Sequence, residues 1–159
     1  MDKLSQILWR ERELLETLLF KLEEEQLVLA AGRTRWLSRA AREVENVLET
    51  MRETEVLRAV VADEAAADLG LGHNPSLRSL AASVDEPWNS LLLDHHEAFT
   101  TLTPEIAGLA DANRELITTG YRSARETLLS FSEGTESYAA DGSAVHVSDS
   151  RRPILDWSL

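Results

Sequence analysis

Four histidines and several runs of carboxylates are the residues whose types could do chemistry. The histidines are His73, the adjacent pair His95 and His96, and His146. Two imidazoles on one helix share a metal when they stand four residues apart, whereas neighbours point about 100° away from each other. Carboxylate-bridged iron sites in helical bundles need a Glu three residues before the ligating His. The residues in those positions here are Gly70, Leu92, Leu93 and Ser143. HExxH, GxxxxGK followed by Ser or Thr, and GxSxG are all missing, which removes the zinc-protease, P-loop and hydrolase-elbow readings. With zero cysteines there is no thiolate nucleophile, no Cys-based zinc site and no disulfide framework. The cluster Glu23, Glu24, Glu25 reads as a solvated helix face rather than an acid/base pair. No enzymatic activity, metal or cofactor is expected, and the chain's work is expected to lie in packing and partners.

The elements that present such surfaces are helices. Glycine at 7 and proline at 4 are scarce among 159 residues, while Leu, Ala, Glu and Arg are abundant, which favours a few long helices over many turns. Sixteen Lys plus Arg against 28 Asp plus Glu leave a formal charge of -12, which repels nucleic acid and an anionic membrane surface. The first 30 residues carry seven acidic side chains and no apolar run of signal-peptide length. No segment approaches the ~20 apolar residues of a membrane span, so a cytoplasmic location is expected.

Apolar spacing places three long helices. The first runs from Lys3 to about Ala31 with a seam at Leu4, Leu8, Glu11, Leu15, Leu18, Leu22, Glu25 and Leu29, in steps of four and three. This is a coiled-coil-like repeat near 3.5 residues. Gly32 stops it, and a short link turns the chain back as an antiparallel hairpin. The second helix, about Arg35 to Leu69, carries Leu37, Ala40, Val44, Val47, Met51, Thr54, Arg58 and Val61, a seam that weakens toward its C-terminal half. Gly70 and Gly72 can cap it and Pro75 prevents continuation, after which Ser76 can cap a short segment around LRSLAA. A third long helix is predicted from Pro87 to Phe131, with Thr103 and Pro104 marking either a kink or a break. The domain is thus 1–131, all-α, and 132–159 is expected to be a flexible C-terminal tail, polar apart from Tyr138 and the apolar Ile154, Leu155, Trp157 and Leu159. Its apolar residues suit a short docking segment; the alternative is a solvated tail in which they do nothing.

In order and spacing, LSQILWRERELLETLLFKLEEEQLVL, LSRAAREVENVLETMRETEVLRAVV, the LGL and SLRSLA segments, IAGLADANRELI and SYAADG resemble the FlgN-type flagellar export chaperones. The resemblance covers nearly the whole chain. It is partial at one motif: the family often shows two asparagines three apart before a Leu-Ile pair, and here Ala110 stands where the first would be, Asn113 at the second. The resemblance implies a cytoplasmic chaperone that holds C-terminal segments of hook-associated junction proteins, prevents their premature assembly and delivers them to the export gate. The export ATPase complex is a further candidate contact. It also makes Tyr138 a candidate for engaging the gate.

On the third helix Leu102, Ile106, Leu109, Asn113 and Leu116 form a seam against the hairpin, with Asn113 a polar residue suited to fixing register. Past Leu116 the better line is Ile117, Tyr121, Ala124, Leu128 and Phe131, shifted by one residue as at a coiled-coil stutter. The shift is expected to redirect the apolar stripe around the helix. These five residues are candidate anchors for a client helix; the competing reading makes them part of the core. A generic homodimeric coiled-coil scaffold is the alternative to a chaperone, and the sequence leaves the oligomeric state open.

Overall fold

The computed structural model describes residues 1–133 and two short strands, 137–138 and 144–145. Helix α1 spans Asp2–Ala30, α2 Thr34–Asp68, α3 Leu77–Ala81 and α4 Trp88–Glu133. Two compact units divide the chain, Met1–Thr118 and Thr119–Leu159. The first holds α1 to α3 and most of α4. In the second, the end of α4 is followed by a two-residue antiparallel ribbon, β1 (Ser137–Tyr138) and β2 (Ala144–Val145), with Ser137 opposite Val145 and Tyr138 opposite Ala144. Apart from that ribbon the described structure is helical.

Both long hairpin helices end in the same way. Gly32 takes φ +62°, its N–H donates to the Leu29 carbonyl (3.1 Å), and the Arg33 N–H reaches the Val28 carbonyl (3.0 Å). At the end of α2, Gly70 takes φ +71°, its N–H meets the Ala67 carbonyl (3.2 Å) and the Leu71 N–H meets the Ala66 carbonyl (2.8 Å). Each is a Schellman motif, in which a left-handed residue lets two backbone N–H groups satisfy carbonyls the helix has left open. Leu71 also packs against the same core cluster as Ala66, the apolar contact that accompanies the motif. Gly72 does not share the left-handed conformation, so capping falls to Gly70 alone.

The seam of α1 is the spine of the first unit. Its buried residues are Leu4, Leu8, Glu11, Leu15, Leu18, Leu22 and Glu25, seven of the eight seam positions, with Leu29 half-buried. Glu25 therefore departs from the solvated face expected for the Glu23–Glu25 cluster: the 3.5-residue repeat turns it inward while Glu23 stays exposed. Two clusters pack on this spine. In the first, Leu4 and Leu8 meet Val61, Ala62, Ala65 and Ala66 of α2, Leu77 and Leu80 of α3, and Leu92 of α4. In the second, Leu18 and Leu22 meet Val44, flanked by Met51, Ile106 and Leu109.

The end of α2 is therefore the more densely buried half, contrary to the weakening expected from its seam. The reason is that α3 and the start of α4 fold over it, so burial spreads from a narrow seam to the alanines beside it. Five residues of α3 are too few to hold a helix alone. They are held by burial of Leu77, Leu80 and Ala81, by the Ser76 hydroxyl accepting the Ser79 N–H (3.1 Å), and by the Asn89 amide donating to the Ala81 carbonyl (2.7 Å).

At Pro104, α4 continues without a break, and Thr103 is no cap. Proline removes one backbone donor, which leaves the Thr100 carbonyl without its helical partner. Thr100 is exposed, so water can serve that carbonyl. Among the described residues, no helix is long and apolar enough to cross a membrane.

Candidate client-binding face

The polar residues that interrupt the three seams meet one another. Glu11 of α1 faces Arg58 of α2, the Arg58 Nε lying 2.9 Å from the Glu11 Oε2. The alignment falls outside hydrogen-bond geometry, so the pair is held by charge. Burial pushes the Glu11 carboxyl above the ordinary carboxylate range; the Arg58 charge opposes the shift and Glu55 adds to it. Nearer the hairpin turn, Asn113 of α4 is 2 % exposed. Its Nδ2 donates to the Leu22 carbonyl (2.9 Å) and to the Glu25 Oε2 (3.0 Å). Thr54, the buried polar residue of the α2 seam, satisfies itself by donating to the Thr50 carbonyl (2.8 Å). One polar match thus links α1 to α2 and another links α1 to α4.

The second match is long-range: Asn113 lies 88 and 91 residues beyond its two partners, Glu25 and Leu22. After it the apolar side chains of α4 are exposed: Ile117 is 44 % exposed, Tyr121 72 %, Leu128 70 % and Phe131 71 %, with Ala124 exposed between them.

These five side chains fall within an arc of about 80° on an ideal helix, one continuous apolar line. The line is turned about 50° from Leu102, Ile106, Leu109 and Asn113, so the one-residue shift moves it part-way round the helix. Leu116, expected in the seam, is 40 % exposed. Leu129, half-exposed beside the line, was not among the expected anchors. Its only sequence signal is that it follows Leu128.

The profile of the family described as FlgN protein matches residues 1–146. The chain belongs to the FlgN family. FlgN proteins are flagellar export chaperones, and the family binds hook-associated flagellar proteins. Comparison with curated proteins and with solved structures returned no match.

Of the other residues singled out in this FlgN chain, Tyr138 lies in β1, while Ile154, Leu155 and Trp157 lie outside the described residues, as does the rest of the expected tail apart from 132–133 and the two strands. His73 pairs with Asp63 at 3.3 Å on the surface. His95 is entirely buried, edge-on to Trp9 (4.7 Å between ring centres) and 5.9 Å from the Phe99 ring. Neither of its ring nitrogens has a hydrogen-bond partner. Burial, with the Arg12 charge in support and Asp94 opposing, lowers its pKa from the ordinary histidine value. Nothing in the spacing of the histidines distinguishes this ring; it falls on the buried face of α4 with Leu92 and Phe99.

Proposed function

We propose that this FlgN chain works in the cytoplasm by holding C-terminal helical segments of hook-associated proteins along Ile117, Tyr121, Ala124, Leu128 and Phe131. A segment destined to assemble with its own kind is amphipathic, and its apolar face docks on a complementary helix through anchors spaced i, i+3, i+4 and i+7. Covering that face prevents assembly before export. The observation that carries this reading is the exposed apolar line on the C-terminal part of α4, in a chain of a family of export chaperones. Asn113, through its bonds to Leu22 and Glu25, sets the register of α4 on α1. Delivery to the export gate, and contact with the export ATPase complex, would then use surfaces outside that line, with Tyr138 the residue to test first. Ile154, Leu155 and Trp157 are further docking candidates.

Titration calorimetry and native mass spectrometry with a C-terminal fragment of a hook-associated protein test this. A stoichiometric complex that Tyr121→Ala together with Leu128→Ala weakens tenfold or more supports the assignment, since truncating central anchors of an interface typically costs over 1 kcal/mol each. An obligate homodimer indifferent to such fragments refutes it and favours a scaffold.

A further inference from the structure

A second surface lies between the two core clusters of the first unit, where residues of α1, α2 and α4 line a cleft of about 320 Å³. Leu15 and Leu18 floor it; Met51 on one side and Phe99 and Ile106 on the other wall it. Its polar groups are the Thr103 hydroxyl, the Glu11 and Glu55 carboxylates and the Arg58 guanidinium. Apolar walls with a few convergent polar groups are the usual make-up of a site that accepts a ligand group.

The charges indicate which group. Two carboxylates face one guanidinium, so the cleft carries a net negative charge. Glu55 makes no ion pair among the described residues, and the Glu11 side chain, 7 % exposed, meets Arg58 without hydrogen-bond alignment. A cation entering here gains Glu55 outright and competes with Arg58 for Glu11. The walls select a cation on an apolar stem, because a bare ion would leave Met51, Phe99 and Ile106 facing it. Lysine and arginine have such stems, three or four methylenes long, that cover apolar surface while the charged end meets a carboxylate. The cleft also lies between two long helices over a third, the place a fourth helix takes in a four-helix bundle.

We propose that this cleft is a docking site for a Lys or Arg side chain carried on an amphipathic helix of a partner protein. It is distinct from the exposed line at the end of α4 and stands whether or not that line holds clients.

Met51 provides the probe, since Met1 and Met51 are the chain's two methionines. The full chain with ¹³C-methyl methionine is titrated by NMR with a synthetic amphipathic Leu/Lys helix of about five turns, and with a Leu/Glu counterpart. The expected result is a saturable shift of the Met51 signal with the Lys peptide and none with the Glu peptide. Glu55→Gln should weaken the Lys peptide about fivefold or more, and Glu53→Gln, an equal change of charge at an exposed site of the same helix, less than twofold. An unmoved Met51 signal overturns the proposal, including the case in which the peptide binds elsewhere, on the end of α4. So does equal weakening by the two variants, which would show diffuse attraction to an acidic protein, or an equal response to the Glu peptide.

Discussion

Asn113 and Glu25 form a buried pair whose worth can be worked from its bonds. Asn113→Ala deletes one bond to a neutral carbonyl and one to a carboxylate, at 2.9 and 3.0 Å. The first contributes about 1 kcal/mol and the second about 1.5–3 kcal/mol. Against this, the Asn113 Oδ1 is buried without a partner, and removing it returns about 1 kcal/mol. The net loss expected for Asn113→Ala is therefore about 1.5–3 kcal/mol, with Glu25 left buried and its partner gone. Glu25→Leu should cost less, about 1 kcal/mol, since Asn113 keeps its bond to Leu22. The double variant Asn113→Ala with Glu25→Leu removes both polar groups together, so neither is left buried alone and the loss is expected near ~1 kcal/mol, the bond to Leu22. Its penalty falls short of the summed single effects by roughly 1.5–3 kcal/mol. Urea unfolding followed by far-ultraviolet circular dichroism measures all four corners of this cycle. Single effects that simply add, within about 0.5 kcal/mol, would refute the pairing as the contact that joins α4 to α1.

Three further outcomes follow from other residues. Tyr121→Ala and Leu128→Ala, at sites more than two-thirds exposed, should each change unfolding free energy by no more than about 0.5 kcal/mol; losses of 2–5 kcal/mol would place them in a core. His95 is held below its unfolded value near 6.5, so beneath that pH the unfolded chain binds the extra proton. Its contribution to stability is present above pH ~6.5 and falls as pH drops, by at most about 1.4 kcal/mol per pH unit. This slope should be absent from His95→Leu and so remain in the difference between wild type and that variant, where the opposite-signed contribution of Glu11, whose raised pKa removes stability as pH rises, cancels. Gly32→Ala should lower stability by about 1 kcal/mol in thermal unfolding, from backbone strain alone: φ is +62° and nothing lies within 4 Å of an added methyl.

How much of this was legible in the sequence depended on whether a feature was local. The α1 seam was readable residue by residue, because inward-facing positions follow from one helix's period. Glu25 shows where two local rules collide: acidic clusters favour solvent, the heptad position favours the interior, and packing decided. The burial of the end of α2 could not be read from its own seam, since the cover comes from α3 and the start of α4. The same limit applied to the polar matches. Glu11, Arg58, Glu25 and Asn113 were all visible as polar residues on apolar lines, but which meets which depends on the offset between helices. The line from Ile117 to Phe131 was legible from spacing. The extent of its exposure was not, because spacing on one helix does not say what packs against it. Pro104 was ambiguous for a related reason: tertiary contacts on both sides of it, Phe99 with the first cluster and Ile106 with the second, favour one continuous helix over its local preference to break.

The separation of partners along the chain also orders assembly. The first two helices are joined by only three residues, 31–33, and close on each other through local contacts. By contrast, α4 meets α1 across some 90 residues, and its docking surface does not exist until the hairpin has formed. Folding is thus expected to proceed from the hairpin outward, with α4 the last element to dock and the first to detach in partial unfolding. Amide exchange in the half of α4 before Asn113 should then be faster than in the centre of α1. Asn113, at the far end of that docking surface, serves as a timer: when its side chain becomes protected, the bundle is complete.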